Sequence, residues 1–453
     1  MPQFPRALRW IIPCVVVVLF LAALAIGSLW VKSYLRSDAF RRLIEEKTGE
    51  AVKGQATYEP LRWIGASVFS NQLSVTGETG SPLASLTADQ LRATVAWRAI
   101  FDGAWRIENL ESARVLATFR PGSFATESPS SHVASPEPAV AKWLPHRFEI
   151  GSVSTPLGSV RFLDAAEKER FALNESSLHM KPDGASWLLE GQGGTFLVAE
   201  FPELKVEKFR SRIHKDVFFL TDSQFRLGDS GVITASGEFS KAAKVRVAWD
   251  RVNIDQFLAS HWRKKLSATM AGSADIVVPD GQNATATGKV VLTDGLVQKV
   301  PLLDQIAKFT GAPQFRRMPV QEVTSDFSWQ NGILTLTNFM GESKGLLRLE
   351  GTCTIAADHQ IDGTFRIGVT PQTVQWLPGS REKVFTEAGG GYLWTSLKIG
   401  GTVENPTEDL SGRLLAAMGE QVIEQGTKAL DNLPAPAREG AKQAIDLLKP
   451  FFQ

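Results

Sequence analysis

Late in the chain apolar residues recur at every second position, and that period of two leaves little choice of local structure. Leu347, Leu349, Gly351, Cys353 and Ile355 alternate with Arg348, Glu350, Thr352 and Thr354. Only an extended strand with one buried face separates residues this way. Ile361, Gly363, Phe365, Ile367 and Val369 repeat the scheme against Asp362, Thr364, Arg366 and Gly368. With Ala357-Asp358-His359-Gln360 between them, the two runs predict an antiparallel hairpin with one apolar face. Earlier, Leu91, Ala93, Val95 and Trp97 alternate with Arg92, Thr94, Ala96 and Arg98, and Val115, Ala117 and Phe119 extend a small β unit to Arg120. Phe148, Ile150, Val153, Val160 and Phe162 continue the period beyond it, so the fold class is mainly β.

Helical signals are few. Ser37 or Asp38 can cap a short helix that carries Phe40, Leu43 and Ile44 on one face and stops at Gly49. Helical spacing returns at Leu302–Phe309, Leu414–Leu430 and Ala437–Leu448. Residues 121–143 are rich in Pro, Ser and Ala with little to bury and read as a linker or exposed loop. The sequence thus divides into 1–32, a β unit at 33–120, the linker, a β region at 144–411 and amphipathic helices at 412–453. Gly231-x5-Gly237 echoes Gly345-x5-Gly351, a weak sign of repetition.

At the other end, Trp10 to Val31 is uninterruptedly apolar, long enough to cross a ~30 Å hydrocarbon core as a helix. Trp10 and Trp30 are placed as interface anchors at its two ends. A signal peptide cleaved after Ala23-Leu24-Ala25 is the rival reading. The anchor is favoured because apolar sequence runs on to Val31. Cys14 lies inside the segment, which argues against a lipid-modified N-terminus. Arg6 and Arg9 precede it while Lys32, Arg36, Arg41, Arg42 and Lys47 follow, a count that orients long domains only weakly.

Composition removes several functions. Lys and Arg number 49 against 48 Asp and Glu in 453 residues, a formal charge of +1, so nothing favours nucleic acid. Cys14 and Cys353 are the only cysteines, which precludes a disulfide within the body. The six histidines show no metal-ligand spacing on a helix face, and no metal or cofactor is expected. No nucleophile elbow, zinc-protease helix or phosphate loop is present. Gly191-Gln192-Gly193-Gly194 and Gly389-Gly390-Gly391 read as turns. Glu45-Glu46 and Glu408-Asp409 read as solvated surface. His261-Trp262-Arg263-Lys264-Lys265 reads as a solvated loop beside a buried Trp262, with contact to anionic lipid headgroups as the sharper alternative. No catalytic residue is assigned, and the chain is expected not to be an enzyme.

An apolar stripe on a sheet closes into a dry core or lines an open groove. On a membrane-tethered body it can shield acyl chains, at about 0.8 kcal/mol per buried methylene. The candidate groove residues are Leu347, Leu349, Cys353, Ile355, Ile361, Phe365 and Ile367.

Three further segments, LTADQLRATVAWRAIFDGAWRIENLESARV (Leu86 to Val115), GKVVLTDGLVQKVPLLDQIAKFTG (Gly288 to Gly311) and VFTEAGGGYLWTSLKIGGTVENPTEDLSGRLL (Val384 to Leu415), resemble the AsmA-like family, to which TamB-type proteins are related. The likeness covers both ends of the chain, and Gly151 to Gly288 only as compatible β pattern. It implies a single-pass bacterial inner-membrane anchor with a cytoplasmic N-terminus, and a periplasmic body of elongated, twisted antiparallel β-sheet enclosing an apolar groove. It also implies phospholipid and the inner membrane as partners, with outer-membrane or envelope proteins beside them, in outer-membrane homeostasis. Phospholipid binding or transfer is the expected function. The alternative is a structural or assembly factor for outer-membrane protein insertion, working through sheet edges.

Overall fold

The computed structural model describes residues 33–121, 147–299 and 313–417 together with Ala307, less 97, 102–103, 200, 216, 241, 281, 376–378 and 415. The apolar segment 10–31 with Trp10 and Trp30, Trp97, the loop 122–143, the helix at 302–309 apart from Ala307, and residues 418–453 lie outside the described residues. Among the described residues no helix is long and apolar enough to cross a membrane. These residues fall into two compact units, the first ending at Lys215.

The first unit opens with helix α1 (Asp38–Val52), whose Ser37 cap accepts the Phe40 N–H at 3.4 Å. The helix does not stop at Gly49 as expected. It passes that residue and ends at Lys53 in the left-handed region (φ 51°). Gly49 is needed instead for close approach, since a Cβ there would lie 2.6 Å from the Gly54 carbonyl oxygen. Next come β1 (Gly54–Tyr58), β2 (Arg62–Ile64), β3 (Ser67–Gly77), β4 (Leu83–Val95), the turn α2 (Arg98–Phe101), β5 (Ala104–Glu111) and β6 (Arg114–Phe119). β7 (Arg147–Leu163), β8 (Glu169–Asp183), β9 (Ser186–Gln192), β10 (Thr195–Val198) and β11 (Leu204–His214) complete the unit. Two clusters form its core: Leu73, Val75, Leu83, Ala88 and Leu91 between the strands, and Leu35, Phe40, Val95 and Trp105 beneath α1. Ring centroids of Phe40 lie 5.6 Å from Trp105 and 6.1 Å from Trp63, so an aromatic contact seats α1 on the sheet.

The pairing is antiparallel except where β7 runs parallel to both β5 and β6. That departs from the uniformly antiparallel sheet expected, and β6 and β7 are far enough apart in sequence, Phe119 to Arg147, for the long connection a parallel pair requires. β5 and β6 share both neighbours, β4 and β7, and so form one line broken at Ser112-Ala113. β9 and β10 form another, broken at Gly193-Gly194 between β8 and β11. The glycine cluster there is therefore a bulge inside a strand and not a turn, with φ of 72° and 75° that favour glycine. Gly389-Gly390-Gly391 does turn, between β21 (Glu387–Gly389) and β22 (Tyr392–Gly401) of the second unit.

The second unit is a meander: β12 (Val217–Leu227), β13 (Gly231–Phe239), β14 (Ala243–Asn253), β15 (Leu266–Val278), β16 (Thr285–Gln298), β17 (Arg317–Gln330), β18 (Ile333–Ser343), β19 (Leu347–Ile355) and β20 (Ile361–Val369). Each is antiparallel to the next, and β20 pairs with β22, which also carries β21 and β23 (Pro406–Glu408). The turns α3 (Ser260–Arg263), α4 (Pro371–Val374) and α5 (Ser380–Lys383) interrupt it. The β19–β20 hairpin has the predicted register, Leu347 opposite Val369 and Ile355 opposite Ile361. In the internal echo Gly237 and Gly351 both lie within strands, but Gly345 sits in a turn where Gly231 opens β13.

Buried serines mark where the ladders shift register. Ser223 donates to the Ala235 carbonyl at 2.6 Å and accepts the Ala235 N–H at 3.0 Å, where β12 skips between Leu220 and Gln224. Ser325 reaches the Thr337 carbonyl at 3.0 Å beside the shift in β17. Ser176, fully buried, reaches the Gly193 carbonyl at 2.6 Å. Each hydroxyl satisfies main chain that a bulge has unpaired, and bulges bend the strand that carries them. Ser223→Ala is expected to cost about 1–3 kcal/mol by orphaning those groups, read as a lowered urea midpoint with an unchanged m-value.

Bending has a visible result. The Trp262 indole N–H, just before β15, donates to the Val403 carbonyl just after β22, at 3.2 Å. Six sheet steps separate those strands, about 29 Å if the sheet were flat. The second unit's sheet is therefore strongly curled.

Candidate functional site: the two faces of the second sheet

Cross-strand partners share a face, so the register reads out what each face presents. One row runs Ala235, Val247, Ala274, Gly288, Phe327, Leu336, Cys353, Gly363, Ile399 from β13 to β22. Its neighbour runs Leu220, Gly237, Val245, Ile276, Ala286, Trp329, Leu334, Ile355, Ile361. Neither contains a polar side chain apart from the Cys353 thiol and the Trp329 indole. The row between them on the other face is Ser236, Arg246, Asp275, Thr287, Ser328, Thr335, Thr354, Asp362. A one-residue slip would exchange the two, so side-chain chemistry pins the register.

On the apolar face rings lie down on neighbouring glycines. A Cβ on Gly288 would meet the Phe327 ring at 2.8 Å, and one on Gly272 the Trp249 indole at 2.6 Å. The glycines thus let aromatic area form the floor of the face.

All seven sequence-predicted residues come together on this face, in one cluster at its β19–β22 end. Cys353 and Phe365 are buried, while Leu347, Leu349, Ile355, Ile361 and Ile367 are partly buried against them. Chain from beyond the strands covers that end: Val374, Val384, Phe385, Leu410, Leu414 and Ala417 belong to the same cluster. Burial pushes the Cys353 thiol pKa up, and Asp362 adds to the effect. Sequence reasoning met Val245, Val247 and Trp249 only in the internal echo and did not assign the β13–β17 part to the groove, where these three with Ile276, Val290 and Phe327 are half-buried and Trp329 is 38% exposed. The alternation Val245-x-Val247-x-Trp249 was its signal.

The opposite face is laced by ion pairs: Arg246 to Asp275 at 2.7 Å, Lys289 to Asp326 at 3.5 Å, and Arg366 to Glu350 at 2.6 Å. The Arg246 hydrogen bond and charge hold the Asp275 carboxyl below its ordinary 3.8. The Asn338 hydrogen bond, with Lys289, does the same for Asp326. Folded values below unfolded ones mean stability that is present above pH 3.8 and lost as pH falls through the folded values. Asp275→Asn is expected to flatten the acid limb of a urea-midpoint profile and to lower the midpoint at pH 7 by the same small amount, the two profiles meeting in acid, since the pair is exposed.

Other polar candidates serve the fold. Glu45 accepts the Tyr58 N–H at 2.9 Å, Glu408 accepts the N–H groups of Leu410 and Ser411 at 2.7 and 2.9 Å, and Asp409 accepts that of Lys398 at 2.8 Å. Glu46 and Asp409 are exposed, as expected, while half-buried Glu45 and Glu408 serve main-chain N–H groups, a correction to the solvated surface expected of those two. In the first unit an open pocket of about 430 Å³ sits at the Ser112-Ala113 break, lined by Phe69, Arg92 and Glu111 among others. Of its two serines, Ser112 has its hydroxyl 2.7 and 2.8 Å from the carbonyls of Asp89 and Arg114 and committed to them. Among the described residues no group of three or more His, Cys, Asp or Glu is placed to hold a metal. Compared with family models, curated proteins and solved structures, the chain matches none of them.

Proposed function

We propose that this chain is a membrane-anchored lipid-binding or lipid-transfer module whose ligand lies along the apolar face of the second unit, as in a groove. The observation that carries the reading is the uninterrupted apolar register from β13 to β22, set back to back with a wholly polar row. An ordinary two-layer protein would cover such a face along its whole length. Among the described residues the covering cluster gathers over β19–β22, while on β13–β17 Ile233 and Ala274 are buried and the side chains of Val245, Val247, Trp249, Ile276, Val290 and Phe327 are only half-buried. Those five strands span about 19 Å, enough for one acyl chain, which occupies about half of a ~30 Å bilayer core.

In this reading residues 10–31 are the anchor, the body is periplasmic, and phospholipid is the ligand in outer-membrane homeostasis, as the AsmA-like resemblance implies. The seven residues at β19–β20 close one end of the groove and the rings of Trp249 and Phe327 floor its open part. The test is mass spectrometry of organic extracts from the purified full-length chain. Phospholipid at about one molecule or more per chain is expected; a lipid-free, fully folded chain would overturn the reading.

A further inference from the structure

A cationic, aromatic-edged surface lies at one end of β15–β17. The residues before β15 are Arg263, Lys264 and Lys265, and the main chain joins them to the end of β16: Gln298 donates its N–H to the Lys265 carbonyl at 2.8 Å and its side-chain amide to the Lys264 carbonyl at 3.3 Å. Lys299 follows Gln298, and Gln298 is in register with Arg317, which Arg316 precedes. Three neighbouring strand ends thus bring six cations together, five of them exposed and Lys265 half-buried, with no carboxylate in 261–266, 296–299 or 315–319. Over a chain whose formal charge is only +1, that is a local concentration of one sign.

Two aromatic groups sit beside the charge. Phe257, 42% exposed, adjoins Leu258, whose carbonyl accepts the Arg263 Nε–H at 2.8 Å, and the Lys265 ammonium lies 4.9 Å from the centre of the Trp262 ring, itself pinned by its bond to Val403. Buried Phe315 and Met318 fix the Arg316-Arg317 segment from below. A fixed cationic cluster beside an exposed ring matches a membrane surface, where headgroup phosphates meet the charge and the ring enters the interface. A nucleic acid would use the cations but leave Phe257 with little to gain.

We propose that this end of the second unit docks on anionic phospholipid headgroups, presenting the apolar face of β15–β17 to a bilayer. Met270 lies only a few positions along β15 from Lys265, so a lipid drawn from that surface meets the apolar row within one strand. The proposal rests on the lipid reading above and names the surface through which it operates.

The test uses the full chain in nanodiscs of phosphatidylcholine, with capture of free vesicles as readout. Vesicles containing phosphatidylglycerol are expected to be captured and phosphatidylcholine vesicles not, with capture weakening as salt rises. Each cation near such a surface is worth roughly a fivefold change in affinity, so Lys264→Glu, Lys299→Glu and Arg317→Glu together should lower capture at least about 100-fold. Lys168→Glu, Lys205→Glu and Lys244→Glu, three exposed cations elsewhere, should leave it unchanged, and Phe257→Ser should weaken it. An equal loss in both triple variants would reduce the effect to net charge and overturn the proposal. So would single-stranded DNA that binds as tightly and is indifferent to Phe257→Ser. Lipid extracted from the same preparations separates the two claims: a chain that carries lipid but captures no anionic vesicles refutes the docking surface alone, and one that does neither refutes both.

Discussion

Full-length chain carrying Val247→Asp will fold and yet co-purify with far less phospholipid than the unsubstituted chain. Val247 is half-buried in the open part of the apolar row, near its β13 end, with Ala235 and Ala274 as its cross-strand partners. An acyl chain lying across those strands would lose contact at about three methylenes and meet a carboxylate that resists desolvation. The first effect alone is about 2.4 kcal/mol, roughly 50-fold in occupancy. Folding is less at risk than for Phe365, which is buried under the C-terminal cluster. Ala235→Trp gives the same answer without charge, filling the row with a ring while keeping it apolar. Lipid extracts quantified per chain, beside a urea transition showing a native fold, decide the matter. Unchanged lipid in both variants would place the ligand elsewhere than on this face.

The residues on which these expectations rest differ in how legible they were. The register of β19 and β20 could be read directly, because Arg348, Glu350, Asp362 and Arg366 cannot share a face with Leu349 and Phe365 without losing solvation. The start of α1 followed from Ser37, whose hydroxyl has a specific donor to satisfy. Bulges escaped notice, since a serine inside a strand looks like any other polar residue until the carbonyl it serves is known. Ser176 and Gly193 are 17 positions apart in sequence yet in contact through a hydrogen bond. The parallel placement of β7 was likewise invisible, because an apolar–polar alternation does not say which way a strand runs. Glu45 and Glu408 were misread for a related reason: a carboxylate that caps main chain and one that faces water have the same sequence signature. Least legible was the cover over β19–β22. Val374 and Phe385 come from segments with no strong period, Leu414 from a predicted helix whose docking site no period reveals, and only their packing shows that the residues first named as groove candidates lie at a closed end.

That closed end gives the other large effect. Phe385 is 1% exposed, the largest side chain below 2% exposure among the described residues, in the cluster that contains Cys353, Phe365, Leu397 and Leu414. Phe385→Ala should remove about 3–5 kcal/mol, the transfer free energy of the ring together with the cavity it leaves. For a folding unit of this size that is a fall of roughly 6–20 °C in Tm. Ile333→Ala, at a side chain 43% exposed, should move Tm by little and serves as the control. A chemical readout reports the same event. Cys353 is buried with its thiol pKa raised, so it should react slowly with a maleimide in a chain whose other cysteine is changed by Cys14→Ser. Loosening the cover with Phe385→Ala should speed that reaction well below Tm, while Ile333→Ala should not. If Phe385→Ala melts with the unsubstituted chain and leaves Cys353 as slow to react, the segments around Phe385 do not hold this end shut, and Cys353 and Phe365 must be protected by the sheet itself.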